Sequence, residues 1–229
     1  MNILAIDTST KILSIAVKTD ESYEERLIDG HFSHSEDLLH EIKEMCARAL
    51  IALKDLDILI CTKGPGSFTG LRVGMATLKG IRSASGAKLV SIPTLSAMIN
   101  TVKAISDLPV LAVMDAKKKR YYIRLEDKEN VIVSDIDANA EDIKSELSSF
   151  CKILVVGDYE KIKEDLKKAA PSVLFVHDPK NTGNISKSLI ELGLRQLEEE
   201  GEDEIGMGPV YIRKSDAEVS LEKRIKEGF

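Results

Sequence analysis

The sequence predicts an α/β chain made of two related halves, each opening with a β-hairpin and continuing through alternating strands and helices. Two short apolar runs end in aspartate, at Asp7 and Asp115, and each is followed by a polar turn and a second apolar run. An offset of 108 positions superposes Asp115 on Asp7 and Ile123 on Ile15. After each hairpin the hydrophobic period switches between two and about 3.6, the signature of strands alternating with helices.

Asn2–Asp7, Ile12–Lys18 and Tyr23–Asp29 read as a three-stranded meander. From Ser35 to Leu53, Leu38, Ile42, Met45 and Ala49 recur at three- and four-residue steps, with Leu39, Cys46, Leu50 and Leu53 widening the stripe. That pattern predicts an amphipathic helix with a broad apolar face. Ser33 and Glu36 have capping-box spacing at its start. A strand at Leu56–Thr62, a glycine-rich loop at Gly64–Gly70, a helix at Leu71–Ser85, a strand at Leu89–Ile92 and a helix at Thr94–Ser106 complete the first half. In the second, Val110–Asp115, Tyr121–Leu125, Val131–Asp135, Ile153–Val156 and Val173–Val176 read as strands. Asn139–Phe150, Glu160–Ala170 and Ile185–Glu200 read as helices. The expected boundaries are 1–108, 109–212 and a charged tail at 213–229.

At 229 residues, with 43% hydrophobic and 31% charged, the chain holds enough apolar material for such a core and is neither disordered nor fibrous. Its 32 basic and 38 acidic residues give a net charge of −6, which argues against an autonomous polyanion binder. Five Tyr, five Phe and no Trp leave few platforms for stacking bases. Cys46, Cys61 and Cys151 form no Cys-x-x-Cys pair, so no zinc or disulfide framework is expected. No apolar stretch nears the ~18 residues of a membrane helix, and no leader pattern is read, so a reducing cytoplasm and no membrane association are expected.

The run Gly64-Pro-Gly-Ser-Phe-Thr-Gly-Leu-Arg-Val-Gly74 follows a strand and opens a helix, the setting of a phosphate loop. Its spacing refuses both standard forms: no Lys follows Gly70, and Thr69 stands where a dinucleotide fingerprint needs glycine. Glycines within a helix cost roughly 1 kcal/mol each relative to Ala, so a compensating contact is expected. Gly70, Gly74, Thr77 and Ile81 share one face, which suggests a second helix packed closely on it. Together with the broad stripe of 35–53, this predicts a protein–protein interface on Leu38, Ile42, Met45, Gly70, Arg72, Gly74, Met75, Thr77, Leu78 and Ile81.

Two halves that open with Asp-bearing hairpins describe the duplicated actin-like, sugar-kinase-like (ASKHA, RNase H-like) fold with two βββαβα subdomains. Within it, Ile3–Thr10, the His34-Ser-Glu helix start, the 64–74 run, Ile92–Leu95, Met114-Asp-Ala116, Pro209-Val-Tyr-Ile-Arg213 and Ala217-Glu218 resemble the TsaB (YeaZ) family over nearly the whole chain. The resemblance implies a non-catalytic dimerisation subunit of the machinery that makes N6-threonylcarbamoyladenosine (t6A) at position 37 of ANN-decoding tRNAs. It implies pairing with a catalytic TsaD-type paralogue, docking of a TsaE-type ATPase, tRNA met through the complex, and a homodimer when alone. ATP and metal would then belong to the partners, with no cofactor or metal on this chain.

The paralogue's His-x-x-x-His metal pair falls here on Thr94 and Met98, neither a suitable ligand. His31, His34, His40 and His177 read as solvated or helix-end residues. Asp7 reads as a carboxylate capping its own turn, because neither hairpin turn carries the glycine that close phosphate approach favours. Lys117-Lys-Lys-Arg120 departs from the family, and is either a solvated turn or a contact for the tRNA backbone. Rival readings are a small-molecule kinase of the same fold and a glycoprotease-like metallopeptidase.

Overall fold

A computed structural model describes residues 1–29, 35–177 and 183–213, with only the backbone for 35–37. The Ser33–Glu36 capping box, His31, His34 and the tail beyond Arg213 lie outside the described residues. Among the described residues ten strands form two mixed five-stranded sheets. In the first, β1 (Ile3–Asp7), β2 (Ile12–Lys18) and β3 (Tyr23–Asp29) run antiparallel to one another, and β4 (Ile58–Gly64) and β5 (Lys88–Pro93) add in parallel beside β1. The second repeats the plan with β6 (Val110–Asp115), β7 (Tyr121–Asp127), β8 (Asn130–Ala138), β9 (Lys152–Gly157) and β10 (Leu174–His177). The duplicated α/β fold read from the sequence is the fold observed.

Five layers follow from which face of each strand is apolar. Leu4, Ile6, Leu13 and Ile15 of the first sheet pack outward, in one cluster with Leu38 and Ile42 of α1 (Ser35–Arg48) and Met75 and Leu78 of α2 (Phe68–Ser85). Ile3, Ala5 and Ile60 face inward, against α3 (Thr94–Lys103), α6 (Ser186–Glu199) and the inner residues Val110, Ala112 and Met114 of the second sheet. Leu111, Val113 and Ile123 face a third core with α5 (Tyr159–Ala169) and the short α4 (Lys144–Leu147). Central strands buried on both faces explain why β1 reads as a continuous apolar run with no alternation.

The chain doubles back at its end. Helix α6, which follows the second sheet in sequence, packs on the first one, where a Cβ at Gly193 would sit 2.6 Å from Ile60 Cδ1. Residues 201–213 then continue along the first lobe: the Asp203 N–H donates to Leu89 O at 2.8 Å and the Val210 N–H to Lys63 O at 2.7 Å.

Several boundaries differ from expectation: α3 ends at Lys103 rather than Ser106, β8 runs on to Ala138 and β4 lies two residues later than expected, while three further differences have local reasons. The 35–53 helix ends at Arg48, because the Ile51 N–H returns to Cys46 O and Leu50 takes the left-handed φ of 59° usually given to glycine. Helix α2 starts earlier, at Phe68, because Ser67 caps it by accepting the Gly70 N–H. The 139–150 helix shrinks to a 3-10 turn at Glu141–Ile143 and one turn of α4. There the Asn139 side chain holds the Glu141 and Asp142 N–H groups, and beyond Ile143 and Leu147 little apolar surface remains to bury.

Candidate functional site

A cleft of about 790 Å³ opens between the lobes, walled by both hairpin turns, the glycine loop and the start of α3. The first turn is closed. Asp7 is 2% exposed, and its Oδ1 accepts the Ser9 N–H at 2.8 Å and the Thr62 hydroxyl at 2.9 Å. Burial raises its pKa above the ordinary aspartate value, against the pull of those hydrogen bonds. Asp7 is thus the turn cap that its position in the sequence suggests.

The glycine loop covers this turn, and the covering explains its spacing. The Ser67 N–H donates to Ser9 O at 2.6 Å. A Cβ at Gly66 would lie 2.6 Å from Ser9 O, one at Gly70 2.0 Å from Thr8 O, and one at Gly74 2.3 Å from Thr8 Oγ1. Glycine at every fourth position lets α2 lie against the turn after β1. The expected second helix is therefore replaced by a contact within the chain.

The expected interface needs the same correction. Leu38, Ile42, Met45, Met75, Leu78 and Ile81 are buried in the first lobe's own outer core, and Gly74 is buried against Thr8. Periodicity finds the apolar face of a helix but not what covers it, and here β1, β2, β4 and β5 cover it. Of the expected residues, Arg72 is exposed, while Gly70 and Thr77 are half-buried. The outward face of α2 is instead Thr69, Arg72, Ala76, Gly80, Ser83 and Ala84, and a Cβ at Gly80 would meet nothing within 4 Å.

The second turn is open. Asp115 Oδ1 accepts the Lys117 N–H at 2.8 Å, the same local bond that Asp7 makes. Its Oδ2 takes Lys117 Nζ at 3.1 Å and Lys161 Nζ at 3.0 Å. Burial would raise its pKa, but the hydrogen bonds from Lys161 and Lys117 outweigh burial and hold it down at about 2. Lys117, Lys118 and Lys119 all have left-handed φ, at 63°, 56° and 58°. Arg120 pairs with Asp137 at 2.7 Å, so the 117–120 run is partly neutralised at home.

The 108-residue offset holds for β2 and β7, where Ile15 and Ile123 both face outer cores. It slips by one for the first strands: Ile3 and Val110 share the inner face, and β6 is one residue longer than β1. By strand alternation Asp7 falls on the inner face and Asp115 on the outer, beside Lys161 of α5.

Thr94 and Met98 line the cleft floor and are buried. Among the described residues no group of three or more His, Cys, Asp or Glu side chains is arranged to hold a metal ion. His40 is exposed with Glu44 at 3.3 Å, and His177 stacks on Tyr159 at 4.9 Å. Sequence reasoning missed Lys161, Asp137 and Asp158, whose Oδ2 accepts the Asp115 N–H, and the pairing of Phe68 with Tyr211. Only the Pro209–Arg213 run pointed to the last.

Two hairpin-led lobes around a cleft define the actin-like, sugar-kinase-like class. The ethanolamine utilization protein EutJ from Carboxydothermus hydrogenoformans shares this fold at TM-score 0.50 and 11% identity, over 82% of this chain and 89% of its own. YeaZ from Pseudomonas aeruginosa is nearer, with TM-score 0.77 and 19% identity over 92% of this chain and 99% of its own. Residues 31–195 match the profile of the family described as TsaD: tRNA N6-adenosine threonylcarbamoyltransferase. The chain belongs to that family, and within it to the TsaB (YeaZ) branch. The tRNA threonylcarbamoyladenosine biosynthesis protein TsaB of Escherichia coli is 29% identical over 128 residues, 53% of each chain, so the match spans about half the length of that relative. The Bacillus subtilis TsaB is 24% identical over 95% of this chain and 96% of its own. No helix among the described residues is long and apolar enough to cross a membrane.

Proposed function

We propose that this chain is a non-catalytic subunit in t6A synthesis, which binds and supports a TsaD-type catalytic paralogue. One observation carries the non-catalytic reading: buried Thr94 and Met98 stand where the resemblance places the paralogue's metal pair. The carboxylates nearby are also engaged, Asp7 by its turn and Thr62, Asp115 by two lysines. ATP and metal belong on this reading to the partners, with a TsaE-type ATPase docking on the pair and a homodimer forming when the chain is alone. The outward face of α2 is the proposed docking face, since Ala76, Gly80, Ser83 and Ala84 admit close approach and lie outside the lobe's own core. Contact with tRNA comes through the complex, and Lys119 of the exposed turn is the residue proposed to reach the backbone.

Reconstitution tests this. Threonylcarbamoyl transfer by the partner subunits is expected to need this chain and to fail with Gly80→Arg, which leaves the monomer folded. Transfer undiminished without the chain, or intact partner capture by Gly80→Arg, sinks the reading.

A further inference from the structure

The Pro209–Arg213 run has no role in the proposed docking, yet the fold makes specific provision for it. Its first anchor is on the first lobe. Tyr211 stacks on Phe68 with ring centroids 3.9 Å apart and planes 9° from parallel. The Arg72 guanidinium lies 4.7 Å from the Phe68 centroid and donates from Nε to the Tyr211 hydroxyl at 2.7 Å. Gly64, at φ +114°, clears the way, since a Cβ there would sit 2.5 Å from Val210 O. Gly64, Phe68 and Arg72 are spaced by four, just as Gly66, Gly70 and Gly74 are. One set of the glycine run holds the strap and the other holds the turn after β1.

The second anchor is on the other lobe. Arg213 donates from Nη1 to Ala116 O at 3.1 Å, inside the turn between β6 and β7. Its Nε lies 3.8 Å from Asp137 Oδ2, whose other oxygen is held by Arg120. Asp137 is thus shared between the β6–β7 hairpin and the strap. The chain already crosses between lobes at α3–β6 and again before α6, so this tie is not needed for connectivity. It lies at the cleft wall, because Ala116 borders the cleft.

We propose that residues 207–213 are an inter-lobe latch, with the Phe68–Tyr211–Arg72 stack as its fixed end and Arg213 as its catch on the β6–β7 turn. The latch sets how far the cleft opens, and it links the outward face of α2, where Arg72 is exposed, to the opposite lobe. Arg72 makes its two contacts within the first lobe, so any effect it has on the β6–β7 turn must travel through the strap. This property belongs to the chain alone and stands whether or not the proposed partners bind.

The full chain tests it with Arg213→Ala and Arg72→Ala, each compared with Arg213→Lys. Amide exchange is read at Ala116 and Arg120, whose N–H groups are bonded within the turn. Spin labels at Arg48→Cys on α1 and Lys168→Cys on α5, in a Cys151→Ser background, report the distance between lobes. Both alanine variants are expected to speed exchange at Ala116 and Arg120 by about tenfold while Ile6 and Val113 in the central strands stay unchanged. The inter-lobe distance distribution broadens and moves outward, and Arg213→Lys falls between. Unchanged exchange in the turn, an unmoved distance distribution, or a uniform rise through both sheets each overturns the latch. So does an effect of Arg213→Ala that Arg72→Ala does not share.

Discussion

The turn after β1 and the turn after β6 start from one local plan and end as chemical opposites. Each has an aspartate at the strand end that accepts the N–H two residues on, at 2.8 Å in both. The first is sealed under the glycine loop, and its carboxyl is pushed up by burial. The second stands open, and two lysines hold its carboxyl down at about 2. The difference arises from one extra residue in β6, which turns Asp115 toward α5, and from the glycines that let α2 press on Thr8 and Ser9. A repeated sequence signal therefore fixes a repeated backbone device, whereas its chemistry is set by which layer the strand end faces.

The largest break should come from the seal. Gly70→Val, which drives a side chain into Thr8 O, is expected to destabilise by about 3 kcal/mol or more in urea unfolding. A loss below about 1 kcal/mol would show that α2 can slide off the turn.

Next in size is the contrast in pH. Asp115 titrates lower in the folded chain than the ordinary ~3.9, so its stabilisation is present above that value and lost as pH falls from about 4 to about 2. Asp115→Asn should therefore cost about 1–2 kcal/mol at pH 7, a figure discounted because Lys117 and Lys161 are half or more exposed, and almost nothing near pH 2. Asp7 has the opposite sign. Its folded pKa is raised, so its contribution is full below the unfolded value and declines as pH rises through the folded one. Asp7→Asn keeps an oxygen for Ser9 and Thr62 and should leave stability at pH 7 unchanged or improved. Parallel pH–stability curves for the two variants would contradict the contrast.

Smaller effects sharpen it. Lys119 at φ 58° carries a left-handed penalty that glycine would relieve, so Lys119→Gly should raise stability by about 0.5–1 kcal/mol. Gly80→Ala, on the open side of α2, should add up to about 1 kcal/mol through helix propensity alone, in contrast to Gly70 on the sealed side. Thermal melts distinguish these from losses.

Much of this architecture was legible in the residues. The hairpins, the order of strands along the chain and the Asp7 cap follow from short apolar runs, turn chemistry and an aspartate at a strand end. The partners of the apolar faces were not. Helix stripes at 35–53 and 71–85 read as a protein–protein interface because the sequence does not say that the first sheet turns Leu4, Ile6, Leu13 and Ile15 toward them. Nor does spacing foretell that Arg72 meets Tyr211 across 139 residues. The face of Asp115 depended on a one-residue difference in strand length, below what periodicity resolves.

The return of α6 to the first sheet has a consequence for synthesis on the ribosome. Ile3, Ala5 and Ile60 are finished early, yet the helix carrying Leu189 and Gly193 that covers them emerges only after the whole second lobe. The nascent amino-terminal half waits with its inner sheet face covered by α3 alone, and the part that α6 fills stays open to chaperones or neighbouring chains until α6 emerges. Premature termination before residue 186 leaves a product in which β1 lacks the cover that α6 supplies.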